Sequence, residues 1–136
     1  MIKFVPQSEI DSVWWELIDK IERGLKYGAG QHFTIGYYYQ QLKNGTMSLW
    51  VTEELNTPIA CGILSVVEYP NKKTLFVELI AGEKLDAWLS EAEPLLHRYA
   101  DQVGASTIEA LCRPGLVKKL TKWRPIATLM RLDNGR

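Results

Sequence analysis

The stretch Lys73–Val103 constrains the fold more than any other. It reads KTLFVELIAG and then EKLDAWLSEAEPLLHRYADQV. The first part is a nearly continuous apolar run that ends in a glycine. It predicts a strand over Thr74–Ala81, central in its sheet. The second part repeats Leu85, Trp88, Leu89, Ala92, Leu95, Leu96, Tyr99, Ala100 and Val103 at helical spacing. Pro94 falls inside this helix and is expected to bend it rather than end it, because the apolar period continues on both sides. A strand that runs straight into a helix leaves the helix's first N–H groups unpaired at the sheet edge, a natural place for an anion.

The rest of the chain supplies partners for this unit. Met1–Pro6 reads as an edge strand. Ser8 is the expected N-cap of a first helix, with Asp11 as a capping-box partner. That helix carries Ile10, Val13, Trp14, Leu17, Ile18, Ile21 and Leu25 on one stripe and stops at Gly28-Ala29-Gly30. Thr34 caps a shorter helix through Tyr37, Tyr38, Tyr39 and Leu42, closed by Asn44-Gly45. From Ser48 the period changes to two. Leu49–Glu53 and Ile59–Tyr69 are strands joined by Asn56-Thr57-Pro58, and Pro70-Asn71-Lys72 turns back into Thr74–Ala81. Gly62, inside the second of these, hints at a bulge.

After Gly104, Thr107–Cys112 is a β-rich run. A strand that follows a helical crossover is expected to pair in parallel with the strand before it. Gly115 opens a short helix, and Ile126–Leu132 is the expected last strand. The fold class is therefore α+β: an antiparallel meander plus one parallel pair in a mixed sheet, with helices on both faces, in a single domain over 1–136.

Composition excludes several classes. Hydrophobic residues make up 46% and charged residues 24%, ordinary for a chain with a core. The formal net charge is zero, with no basic footprint for nucleic acid. No apolar run is long enough to cross a bilayer. The start MIKFVPQSEID puts Glu9 and Asp11 where a secretory signal has apolar residues, so a cytoplasmic protein is expected. Cys61 and Cys112 lie in apolar runs and read as reduced core residues. The histidines, His32 and His97, are isolated, and no metal ligand set or catalytic triad can be assembled from them.

The element order resembles the GNAT acyltransferase superfamily over most of the chain. The C-terminal half, with LFVELIAGEKLDAW, YADQVGAS, IEALCRPGLVKKL and WRPIATLMRLD, is similar to small GNAT-like proteins encoded by tailed bacteriophages. The positions that carry this likeness are Gly82, Asp86, Trp88, Arg113 and Gly115. The resemblance implies acyl transfer from acetyl-CoA or another acyl-CoA to a small-molecule or protein amine, in the host cytoplasm or the virion. It implies that the pyrophosphate rests on backbone N–H groups of Gly82, Glu83, Lys84 and Leu85, after Ala81. It implies a pantetheine arm held between the splayed strands Thr74–Ala81 and Thr107–Cys112. The superfamily's phosphate loop is Gln/Arg-x-x-Gly-x-Gly/Ala, and here Ala81-Gly82-Glu83-Lys84-Leu85-Asp86 offers one glycine and no arginine, a degenerate version. The tyrosine usual near the short helix is replaced by Trp123. The alternative reading is a non-catalytic GNAT-fold module that binds a phage or host protein.

Single residues carry two readings each. Glu78 stands in an otherwise apolar strand, facing the same way as Phe76 and Ile80. Burial disfavours a carboxylate's charge and suits it to take a proton, so Glu78 is the candidate base; the other reading is a strand-end carboxylate facing a cleft or a lysine. Glu68 and Glu109 are lesser candidates near strand ends. Arg113 is a candidate anion ligand or a surface ion-pair partner. Lys118, Lys119, Lys122 and Arg124 face a cofactor phosphate or solvent. Trp88 and Trp14 read as packing. Trp15, off the stripe, together with Tyr37, Tyr38 and Tyr39, marks a partner surface or lines a groove between the first two helices.

Overall fold

The structure, a computed structural model, describes residues 1–27, 32–112 and 114–135. Gly28-Ala29-Gly30 and Arg113 lie outside the described residues. The elements in order are β1 (Ile2–Val5), α1 (Ile10–Tyr27), α2 (Ile35–Lys43), β2 (Met47–Glu54), β3 (Thr57–Tyr69), β4 (Lys72–Gly82), α3 (Leu85–Val103), β5 (Thr107–Ala110) and the single turn α4 (Pro114–Val117). The strands form one sheet in the order β1-β2-β3-β4-β5. The first four are antiparallel, and β4 pairs with β5 in parallel after the α3 crossover.

Helices cover both faces. On one, Ile10, Trp14, Leu17 and Ile21 of α1 and Tyr38 and Leu42 of α2 bury Leu49, Val51, Cys61, Ile63, Leu79 and Ala81. On the other, Leu96 and Ala100 of α3 pack on Leu64, Leu75 and Val77, and Trp88 and Ala92 pack with Ile2 and Ala60. The expected stripes of both long helices are thus the core. Trp88 and Trp14 are buried, as expected, and α3 runs unbroken through Pro94.

Two bulges shape the sheet. Thr52 pairs with Ala60 and Glu53 with Pro58, so Ile59 is an extra residue in β3. Leu64 pairs with Val77 and Ile63 with Leu79, so Glu78 is an extra residue in β4. A bulge leaves its extra residue without a partner and reverses the alternation beyond it. Leu75 and Val77 therefore pack toward α3, whereas Leu79 and Ala81 pack toward α1. Ile80 packs on the α3 side, so Glu78 and Ile80 do not share a face as simple alternation predicts. Gly62 neighbours this irregularity but has its own reason: a Cβ there would lie 2.6 Å from the Trp88 ring.

Three local expectations need correction. Ser8 is not an N-cap; one 3-10 turn over Gln7–Glu9 leads into α1, with no side-chain cap, and Ser12 Oγ donates to the Glu9 carbonyl at 2.6 Å. The β2–β3 turn sits at Leu55-Asn56, both with positive φ (51° and 64°), and Thr57 and Pro58 already belong to β3. Positive φ at both central residues is the mirror-type turn that matches strand twist in a hairpin. Finally, 126–132 is not a strand. The segment is irregular and its apolar residues are exposed, Met130 to 83% and Leu132 to 96%.

The Thr34 cap is as expected: its Oγ1 accepts from the Tyr37 N–H at 3.2 Å. Thr34→Ala is expected to cost about 1 kcal/mol of stability. Urea unfolding of the two proteins checks this, and an unchanged midpoint would contradict it.

Candidate active site

The candidate site is the wedge where β4 and β5 part. They pair only over Thr74–Val77 and Thr107–Ala110. β4 continues to Gly82, while the chain leaves the sheet after Ala110. The divergence begins at the Glu78 bulge. A cleft of about 330 Å³ opens here on the α1/α2 side, lined by Tyr38, Phe76, Glu78, Leu79, Ala81 and Leu85 among others. A larger cavity of about 780 Å³ lies on the α3 side, bounded by Trp50, Trp88, Leu116 and Trp123. The two share the lining residues Val77, Ile80, Leu89, Ala110, Cys112 and Leu116 at the wedge.

Glu78 is half-buried on the α1/α2 side of the wedge. Ser65 Oγ donates to its Oε2 at 2.5 Å, fixing the carboxylate from the neighbouring strand. No lysine or arginine pairs with it among the described residues. Glu109 and Glu68, the lesser candidates, are spoken for: Lys72 pairs with Glu109 at 3.1 Å and Lys73 with Glu68 at 3.4 Å.

Tyr38 belongs to the same cleft. Its phenol is buried, and burial together with the Glu78 charge pushes its pKa well above the usual tyrosine range. The run Tyr37-Tyr38-Tyr39 could not reveal which ring turns inward; helical phase against Leu42 is the one signal that marks Tyr38. Tyr37 and Tyr39 pack against the same core, while Trp15 is 81% exposed, so the groove reading holds for the tyrosines and not for Trp15.

The helix start is built differently from the expectation at Glu83 and Lys84. Gly82 has φ of +120°, and a Cβ there would lie 2.3 Å from the Ile59 carbonyl oxygen. That carbonyl, turned out by the β3 bulge, accepts from the Glu83 N–H at 2.8 Å. The Glu83 amide is therefore already used within the sheet. Lys84 adopts the left-handed conformation as N-cap of α3, and its Nζ pairs with Glu54 at 2.6 Å. The first intrahelical bond runs from the Trp88 N–H to the Lys84 carbonyl. Leu85, Asp86 and Ala87 thus present N–H groups with no acceptor inside the helix. Asp86 does not block them by its charge alone, because Lys119 pairs with it at 3.1 Å. Lys122 similarly meets Glu93 at 3.3 Å, so Lys119 and Lys122 are taken up in ion pairs with α3. Arg113 lies outside the described residues.

The cysteines are free thiols. Burial pushes the Cys61 pKa up to about 12 and raises that of Cys112. Both are therefore poor nucleophiles. Cys112 is placed past the end of β5, where it lines the wedge, rather than inside a strand. Among the described residues no group of side chains could hold a metal ion, and no helix is long and apolar enough to cross a membrane.

No family model matches the sequence, and no curated protein matches it in sequence. Solved structures do match in shape. A predicted acetyltransferase from Clostridium acetobutylicum, solved with acetyl-CoA, has a TM-score of 0.69 at 13% identity, covering 98% of this chain and 96% of that one. A ribosomal-protein-alanine N-acetyltransferase from Brucella melitensis biovar Abortus 2308 has a TM-score of 0.68 at 10% identity, covering 97% and 99%. An aminoglycoside acetyltransferase from an uncultured soil metagenomic sample, solved with sisomicin, has a TM-score of 0.62 at 13% identity, covering 98% and 92%. The chain has the GNAT fold.

Proposed function

We propose that this GNAT-fold domain transfers an acyl group from acyl-CoA to an amine, with the β4–β5 wedge as the donor channel and Glu78 as the base. The observation that carries this reading is the coincidence of three features at one place. The strands part at Glu78, the cleft there is open, and the start of α3 offers free backbone donors beside it.

Acyl-CoA supplies a thioester whose carbonyl carbon accepts the amine and whose thiol departs. In this chain the N–H groups of Leu85, Asp86 and Ala87 would hold the pyrophosphate. The unpaired edge of β4 from Glu78 to Gly82 would receive the amide groups of the pantetheine arm. Glu78 takes the proton that the amine nitrogen loses as the N–C bond forms and the C–S bond breaks. Tyr38 is a poor acid for the departing sulfur, since its pKa lies well above that of an ordinary thiol. The sulfur leaves as thiolate and takes its proton from water, and Tyr38 lines the same cleft as Glu78.

The loop stays degenerate in this reading. With no arginine and one glycine, and with the Glu83 amide bonded to Ile59, the pyrophosphate rests on fewer donors than the full loop gives. That same feature favours a second reading, in which a phage-encoded relative keeps the fold as a non-catalytic module for a phage or host protein. A thermal-shift titration with CoA separates the two. At a hundred times its dissociation constant, CoA is expected to add about 2.7 kcal/mol of stability. No shift at millimolar CoA would remove the enzyme reading and leave the module.

A further inference from the structure

The cleft on the α1/α2 side carries two opposite charges that are not joined to each other. Lys20 on α1 is half-buried, lines the cleft, and forms no ion pair among the described residues. Glu78 lines the same cleft, and among the described residues Ser65 is what holds it. Their places are fixed by packing. At Gly24, one helical turn beyond Lys20, a Cβ would lie 3.1 Å from the Ala81 Cβ, so α1 lies close on the end of β4. Glu78 is held from β3 by Ser65, and Lys20 reaches the same cleft from α1. No ion pair joins them, so the cation and the anion stand more than 4.0 Å apart within one small cleft.

The other charged groups along it do not cancel this arrangement. Arg23 is exposed at the rim, where its Nε donates to the Asp19 carbonyl at 3.4 Å. Glu83 and His32 are also exposed. Half-buried charges left apart in a cleft are desolvated without mutual compensation, and a ligand with the complementary pair would relieve both.

We propose that the acceptor is a small zwitterion, an amine that also carries a carboxylate several bonds away, with its amine at Glu78 and its acid at Lys20. This rests on the acyl-transfer reading for the amine end and adds the chemistry of the other end. A cleft of about 330 Å³ suits a small molecule of this kind. Polycationic amines would place a second positive charge against Lys20 and are selected against.

The test compares 6-aminohexanoate with hexylamine and spermidine, in the wild type and in Lys20→Met, with acetyl-CoA as donor. The expected result is at least a tenfold higher kcat/KM for 6-aminohexanoate than for hexylamine, with that preference lost in Lys20→Met while the hexylamine rate is unchanged. Equal rates for the two acceptors in the wild type would overturn the zwitterion assignment and leave acyl transfer intact. If no acceptor is acylated, the acyl-transfer reading fails, and calorimetric binding decides the assignment by itself. Binding of 6-aminohexanoate but not hexylamine, lost in Lys20→Met, would uphold it; equal or no binding of the two would overturn it.

Discussion

Gly82→Ala is expected to destabilise the protein by roughly 3–5 kcal/mol, from backbone strain and overpacking acting together. The backbone of Gly82 has φ of +120°, a region side chains avoid whatever the space around them. The space is also absent. A Cβ would meet the Ile59 carbonyl oxygen at 2.3 Å and the Ala60 Cα at 2.5 Å. Both are main-chain atoms held by the β3–β4 ladder, and neither can rotate aside as a side chain would. Relief requires β3 and β4 to separate at their ends, which would also break the Glu83–Ile59 bond. Since a domain of this size is stable by about 5–15 kcal/mol, such a loss is a large part of the whole. Urea denaturation measures it through the midpoint at constant slope. A cost below about 1 kcal/mol would show that the junction yields more easily than a close-packed ladder can.

The second large effect is on rate. Glu78→Gln is expected to lower kcat/KM for acyl transfer by about 10²–10⁴-fold, the usual contribution of a positioned proton acceptor. The substitution keeps the size of the side chain and an oxygen for the Ser65 hydroxyl, so the fold should persist. What it removes is the capacity to take the amine's proton. CoA binding, read by thermal shift, should be unchanged, because no donor proposed for the pyrophosphate belongs to Glu78. A fall in kcat/KM with intact CoA binding assigns Glu78 to the chemistry. Full activity in Glu78→Gln would remove it from that role, and loss of both activity and CoA binding would mark it as structural.

Much of this arrangement is legible in the sequence because it rests on periodicity. The apolar stripes of α1 and α3, the meander and the parallel return all follow from spacing, and Thr34 caps α2 because its hydroxyl is the right distance from Tyr37. The bulge at Glu78 was not legible. In FVELIA nearly every position is apolar, so no break in alternation marks the extra residue, and both faces find something to bury. The candidate site follows from that bulge, which is why Glu78 is visible in the sequence as an oddity but not as the point where the strands part. Tyr38 is hidden between two identical neighbours. The segment 126–132 failed for another reason. Strand-like composition says that a segment suits a sheet, not that an edge is bonded to it, and here its apolar side chains remain in water.

The extra residue in β4 also bears on how the molecule comes apart. One half of the strand is buried under α3 and the other half under α1, so a single continuous ribbon is shared by both hydrophobic layers. Neither layer can be peeled off without exposing part of the same ribbon, and its opening strips both at once. The wedge is thus anchored to the segment whose release coincides with global unfolding, which keeps it out of the reach of local fraying.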